Sequence, residues 1–280
     1  MISIIICSTK QDIDTIIKEN ISNTIGVPYE LIIINNSNNS YSIFSAYNEG
    51  IRRSQFPILC FIHEDIIFRS SNWGKLIYKS FETYKSLGMI GVIGATAIFE
   101  MSWGWWSAPK VGNIIQSDKK TRIKLTYNIC NDETPILKDA VICDGLFLAF
   151  PKNIFKTISF DDNTYVGFHG YDMDISMQVL ASGYKIAIID NILIEHYSWG
   201  NIGEEYIDAC YKFYNKWKNV LPISCVNEKT QEILQENYLK DIFRLCSKKK
   251  FLNSRLWHFN ERLYHIYYFI KNNINKLMFQ

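Results

Sequence analysis

Short apolar runs alternate with segments of helical periodicity four times within the first hundred residues, and that alternation most constrains the fold. Residues 2–7, 30–34, 58–62 and 89–95 are rich in Ile and other apolar side chains with no polar alternation. A strand reads this way when both of its faces are buried, as in a parallel sheet. Between the runs, Ile13, Ile16, Ile17 and Ile21 recur at helical spacing, and residues 41–54 and 73–87 are also helical in pattern. The expectation is an α/β fold with a mostly parallel central sheet and helices on both faces.

Beyond residue 99 the pattern changes. Residues 99–120 are rich in Trp and Gly, 122–128 and 140–150 read as further strands, and 171–181 reads as a helix stopped by Gly183. Short strands are expected at 185–189 and 192–194, and helices from residue 204 onward. The expected domains are therefore 1–203, carrying the sheet, and a helical C-terminal region, 204–280. The last helix carries Leu252, Leu256, Phe259, Leu263, Ile266 and Ile270 at spacings of four and three, beside several Lys and Arg. This seam fits docking onto the sheet domain, a homodimer contact or a peripheral contact with anionic lipid.

Charge separates the two regions. Ten Lys or Arg against four Asp or Glu give residues 229–280 a charge of +6, leaving −4 for the rest of a chain whose net charge is +2. Nothing in that balance calls for nucleic acid as a partner. The seven cysteines form no CxxC pair and several lie inside apolar strands, as expected of reduced core thiols in the cytoplasm. Neither a secretory leader nor an apolar run of membrane-spanning length is visible.

The chemistry concentrates after the third run. Residues 56–68 read FPILCFIHEDIIF, so His63, Glu64 and Asp65 follow directly on a buried strand. An unpaired buried charge is costly, and the carboxyl ends of strands are where open α/β sheets bind ligands. Alternation along an extended segment puts His63 and Asp65 on one face and Glu64 on the other. Ser8 and Thr9 end the first strand and Asn35 and Asn36 the second, on the same edge. Trp103, Trp105 and Trp106 crowd a glycine-broken loop, where indoles suit the apolar faces of sugar rings as well as core packing.

Three segments taken in order resemble family 2 glycosyltransferases of the GT-A fold: the strand ends IIICSTK and LIIINNSN; AYNEGIRRSQFPILCFIHEDIIF; and CDGLFLAFPKNIF followed by HGYDMDISMQVLASGYKIAIID and IEHYSWG. The resemblance covers roughly residues 1–200. It places Asp65 at the second Asp of the family's metal-binding Asp-x-Asp, with His63 replacing the first, and His196 at a late metal-binding His. Asp172, in Tyr171-Asp172-Met173-Asp174, matches the catalytic base of Glu-Asp-x-Asp, the Glu having become Tyr; a helix cap is the other reading of Asp172. Ser8, Thr9, Asn35, Asn36, Asn48 and Glu64 are implied at the nucleotide. Asp144, Gly145 and His169, with the three Trp, are implied at the donor sugar and acceptor; a turn also explains Asp144-Gly145.

The resemblance implies a metal-dependent inverting glycosyltransferase. It would move a sugar from a nucleotide-diphosphate sugar, a UDP-sugar foremost, to a saccharide or lipid-linked saccharide, with Mn²⁺ or Mg²⁺ as cofactor. A cytoplasmic enzyme of bacterial surface-polysaccharide synthesis, at most peripheral to the membrane, is the expected setting. Two rivals stand beside it. One is a decayed transferase that only binds carbohydrate or nucleotide sugar. The other is a nucleotidyltransferase, which the glycine-free residues 8–12 disfavour.

Overall fold

The structure, a computed structural model, describes residues 1–99, 109–117, 134–198 and 204–230. The expected strand at 122–128, the three Trp and the basic final helix lie outside the described residues. The first half contains β1 (Ile2–Ser8), α1 (Thr15–Thr24), β2 (Tyr29–Asn35), α2 (Ile43–Arg53), β3 (Ile58–Ile62), β4 (Ile66–Phe68), α3 (Trp73–Thr83), β5 (Leu87–Gly91), β6 (Ile93–Ala95), β7 (Ala97–Ile98), β8 (Lys110–Gly112) and β9 (Ile115–Gln116). The second half contains β10 (Leu137–Ala140), β11 (Ile142–Cys143), β12 (Phe147–Pro151), α4 (Tyr171–Ala181), β13 (Lys185–Ile189), β14 (Ile194–His196), α5 (Glu204–Trp217) and β15 (Ile223–Ser224).

Among the described residues the main sheet has seven strands in the order β10-β13-β5-β12-β3-β1-β2. β1, β2, β3, β5 and β13 run one way, and β10 and β12 run against them. The sheet is thus mostly parallel, as expected. Its strands are buried on both faces, which explains why they read as continuous apolar runs. Ile5, Leu59, Phe61, Leu148 and Phe150 face a layer containing α2 and α4. Ile4, Ile6, Ile58, Cys60, Ile62 and Phe147 face α1 and α3 on the other side.

The structure differs from the sequence expectation in four places: the run 89–95 breaks at Val92 into β5 and β6, and residues 223–224, expected to be helical, form β15 against β7. Residues 140–150 form three short strands rather than one, because the turn at Asp144 and Gly145 interrupts the apolar run. The short strand expected at 192–194 starts at Ile194 instead, pairing antiparallel with β4 and parallel with β9. That small sheet matters for the site, since its register sets His196 opposite Ile66.

The chain divides into two compact units, Met1–Asn227 and Glu228–Gln280. Within the first, α5 packs on α4, burying Ala209 and Phe213 in the same core. Asp174 on α4 ties the two helices together. Only 1% exposed, it accepts hydrogen bonds from Tyr165 Oη (3.2 Å) and Trp217 Nε1 (2.8 Å) and pairs with Lys216 Nζ at 2.9 Å. No described helix is long and apolar enough to cross a membrane.

Candidate active site

The chain leaves β1 toward β2 on one side and leaves β3 toward β5 on the other, and these opposite connections open a crevice at the carboxyl ends of β1 and β3. Glu64, just past β3, turns into that crevice and binds the loop after β1. It accepts from Ser8 Oγ (2.5 Å), Thr9 Oγ1 (2.6 Å) and the Thr9 backbone N–H (3.2 Å). Asn35 is exposed at the rim, its Oδ1 accepting from the Ser37 N–H at 3.0 Å. Asn36 is buried and exchanges hydrogen bonds with the Tyr41 backbone at 2.8 and 2.9 Å, closing the loop between β2 and α2. Asn48, expected to reach toward a nucleotide, engages both ends of its amide with the Phe160 backbone, at 2.7 and 3.2 Å. It holds the segment that leads toward α4.

His63 and Asp65 share a cluster that Glu64 does not join, and they do so across the turn at residues 64–65 between β3 and β4 rather than along an extended strand. β4 continues from Asp65 and pairs with β14, and the Tyr197 N–H donates to the Asp65 carbonyl at 3.0 Å. This pairing brings His196 to the triplet. His63 Nδ1, His196 Nε2 and Asp65 Oδ1 form a triangle with sides of 3.4, 3.4 and 3.9 Å. A point in its plane lies about 2.1 Å from every corner, the bond length of a small divalent cation to nitrogen or oxygen. Two imidazoles and a carboxylate are a fitting donor set for a first-row divalent metal. The residues present therefore fit a metal without rearrangement.

The electrostatics agree with that fit. Burial, with the second imidazole beside it, pushes the His63 pKa down and favours the neutral form that can ligate. Burial opposes ionisation of Asp65, but the hydrogen bond from His196 and the proximity of both imidazoles outweigh it and hold the carboxyl well below its usual range. Behind His196, Glu195 is 2% exposed; it accepts from Ser117 Oγ at 2.6 Å and Arg69 Nε at 2.8 Å. That clamp fixes β14. Ser198 Oγ lies 3.1 Å from His196 Nε2.

The third wall comes from α4 and the turn before β12. Gly170 enters the helix at φ +83°, a backbone conformation that glycine adopts without strain. The next residue, Tyr171, reaches His63 Nε2 at 2.6 Å. The backbone of His63 donates to the Leu146 carbonyl at 3.1 Å, so β3 and the Asp144-Gly145-Leu146 turn share this wall. Asp144 Oδ1 accepts the Leu146 N–H at 2.8 Å, as a turn-forming Asp does.

Asp172 sits in the first turn of α4, its Oδ1 accepting from the Met173 N–H at 2.9 Å. Burial first, then the neighbouring Asp144 charge, push its carboxyl up to about 7. A carboxylate tuned this close to neutrality is suited to accept and release a proton. Asp174 points away into the α4–α5 contact. His169 packs edge-on against Tyr206 with ring centroids 5.3 Å apart, before the helix start.

The segments around residues 65 and 172 thus meet through the contact of Tyr171 with His63. What sequence reasoning missed are the connections: the Tyr171–His63 bond, the Glu195 clamp and the Asp174 hub. The signal for the first was available, since His63 and Tyr171 are the two positions that depart from the acidic pattern of family 2.

A mostly parallel sheet whose carboxyl edge joins a strand-end imidazole–carboxylate cluster to a helix-borne carboxylate defines the class: a GT-A fold. The sequence matches the Glycosyltransferase like family over residues 3–220, most of the chain, and the protein belongs to that family. Among solved structures it is similar to GalNAc-T7, crystallised with UDP, GalNAc and Mn²⁺, with a TM-score of 0.53 and 9% identity. The match covers 78% of this chain and 48% of that one, so this chain spans about half the length of that protein. A197 from STIV aligns at a TM-score of 0.39 and 11% identity, over 71% of this chain and 86% of the other, a likeness that supports no argument. A search of curated proteins found no match.

Proposed function

We propose that the protein is a metal-dependent inverting glycosyltransferase that takes a sugar from a nucleotide-diphosphate donor to a saccharide or lipid-linked saccharide. One observation supports the reading: a metal-fitting cluster at the end of β3 is joined by the Tyr171–His63 contact to the start of α4, where the Asp172 carboxyl is raised to about 7. His63, Asp65 and His196 would hold the cation, with Mn²⁺ favoured over Mg²⁺ by the two imidazoles. When bound, the cation supplies Lewis-acid neutralisation for a diphosphate leaving group.

The remaining work falls to the chain. Ser8, Thr9 and Glu64 line the crevice between β1 and β3, with Asn35 exposed beside it at the end of β2, and these hydroxyls, amide and carboxylate suit the ribose and base of a nucleotide. Asp172 accepts the proton of the acceptor hydroxyl as its oxygen bonds to the anomeric carbon and the bond to the diphosphate breaks. A single displacement of this kind inverts the anomeric centre. Asp144, Gly145 and His169 flank the carboxylate and form the sugar-facing wall in this reading, as do Trp103, Trp105 and Trp106 by their place in the sequence. The UDP crystallised with GalNAc-T7 supports a UDP-sugar as the first donor to try.

The test is nucleotide release from UDP-, GDP- and dTDP-sugars with Mn²⁺ and a panel of saccharide acceptors. Asp172→Asn is expected to lower kcat by about 10²–10⁴-fold while leaving donor affinity intact. Near-normal turnover in that variant removes the base assignment. A second reading, a binding protein descended from a transferase, is favoured by the two replacements at His63 and Tyr171. Calorimetric binding of a donor with no release under any acceptor would establish it instead.

A further inference from the structure

We propose that Tyr171 is a positioning residue that fixes the ring tautomer of His63, so that Nδ1 presents its lone pair to the cation site. The proposal rests on the metal-centre reading above. A neutral imidazole has one N–H and one lone pair, and its neighbours decide which nitrogen holds which. His63 Nδ1 faces His196 Nε2 at 3.4 Å and Asp65 Oδ1 at 3.9 Å, while its Nε2 lies 2.6 Å from Tyr171 Oη. The contact with Tyr171 is the shortest by a wide margin, and the 3.9 Å separation from Asp65 is too long for a hydrogen bond. With its proton on Nε2, His63 donates to the phenol and aims its lone pair at the cluster. A proton on Nδ1 would face the cluster and have to leave before a cation binds, as the proton that His196 Nε2 shares with Asp65 must.

In this assignment Tyr171 is the acceptor, and its own hydroxyl proton is left to turn toward Tyr47, whose ring centroid lies 5.6 Å from that of Tyr171 at 81°. Tyr47 is 1% and Tyr171 6% exposed, so bulk water has little access to replace either partner. Gly145 makes room for the arrangement. A Cβ at that position would lie 2.0 Å from Tyr171 Oη and 2.3 Å from Cζ. Glycine, phenol and imidazole therefore pack as one unit beside the metal-fitting triangle, the two rings tilted at 46°. The two departures from the family's acidic pattern then have a single cause. An imidazole ligand, unlike a carboxylate, has a second ring nitrogen whose proton needs a buried acceptor, and Tyr171 supplies it.

The test is Mn²⁺ titration of the full chain without nucleotide sugar, following free Mn²⁺ by electron paramagnetic resonance. It compares wild type, Asp65→Ala and Tyr171→Phe. Histidine ring ¹⁵N shifts of the metal-free protein are recorded alongside, with His63 assigned by its loss in His63→Asn. Expected are binding by wild type, none by Asp65→Ala, and affinity weaker by about tenfold or more in Tyr171→Phe. In wild type the His63 proton should reside on Nε2. If Tyr171→Phe binds within about twofold of wild type while Asp65→Ala does not bind, the proposal fails and the metal centre stands. If wild type and Asp65→Ala behave alike, the metal centre itself fails and takes the proposal with it. Should Tyr171→Phe fold poorly, the wild-type spectrum still decides, since a proton on His63 Nδ1 overturns the assignment.

Discussion

At Asp172, function and stability pull in opposite directions. Its carboxyl is raised to about 7 because burial and Asp144 both disfavour the charged form. The charged form is the one that accepts a proton, so turnover should rise as pH climbs through about 7. Stability should move the other way. Between the ordinary carboxylate pKa near 4 and the raised value, the folded chain binds more protons than the unfolded chain, so unfolding becomes easier as pH increases. Asp172→Asn removes the buried charge. It should therefore raise the melting temperature relative to wild type at pH 8 and change it little at pH 4, measured by thermal denaturation in metal-free buffer. A gain as large at pH 4 as at pH 8 would show that the charge is not the source of the strain. Gly145 invites a second residue-scale test. Gly145→Ala must displace the Tyr171 ring, so it should weaken Mn²⁺ binding by about tenfold, as loss of the hydroxyl does. Unchanged Mn²⁺ affinity in that variant would mean that the ring can move without consequence.

Between elements, the strongest coupling lies where α4 meets α5. Asp174 serves Tyr165, Trp217, Gln178 and Lys216 from a fully enclosed position. Lys216 keeps a second carboxylate, Asp161, at 2.6 Å. Asp174→Ala leaves the buried phenol and indole donors without partners and should cost about 3 kcal/mol in urea unfolding. A loss under about 1 kcal/mol would mean that water reaches those donors. The same elements show what the sequence could reveal. β1, β3 and β5 are legible because a strand covered on both faces has no polar positions to obscure it. The helices are legible by their periodicity. His63, Asp65 and Asp172 could be assigned to element ends from the sequence, since the location of acids after apolar runs is a local property. The Lys216 and Trp217 partners of Asp174, the Glu195 clamp and the contact between Tyr171 and His63 join residues tens to more than a hundred positions apart. Nothing in a linear pattern fixes such register. Asn48 illustrates the cost: its place on α2 was readable, but the Phe160 backbone it engages lies 112 residues away.

For the whole molecule, charge is distributed in a way that the crevice does not explain. The sheet unit holds the candidate site, while residues 229–280 carry +6 against −4 elsewhere. Residues 248–280 alone contain seven Lys or Arg and one Glu. Basic side chains near an anionic bilayer contribute about 1 kcal/mol each, and that attraction fades within a Debye length as salt rises. An enzyme whose acceptor is lipid-linked gains from such a tether, because the acceptor is confined to a surface that the crevice must reach. The full chain should therefore float with vesicles containing anionic lipid at low salt and sink at about 0.5 M salt, where screening is nearly complete. A chain ending near Ser247 should sink in both. Salt-insensitive flotation would point to apolar insertion through the Leu252–Ile270 seam instead of charge. Sedimentation that depends on protein concentration, with no vesicle binding at any salt, would assign the seam to a homodimer. Equal recovery of both chains with vesicles would place the lipid contact on the sheet unit, leaving the basic segment without a part in acceptor access.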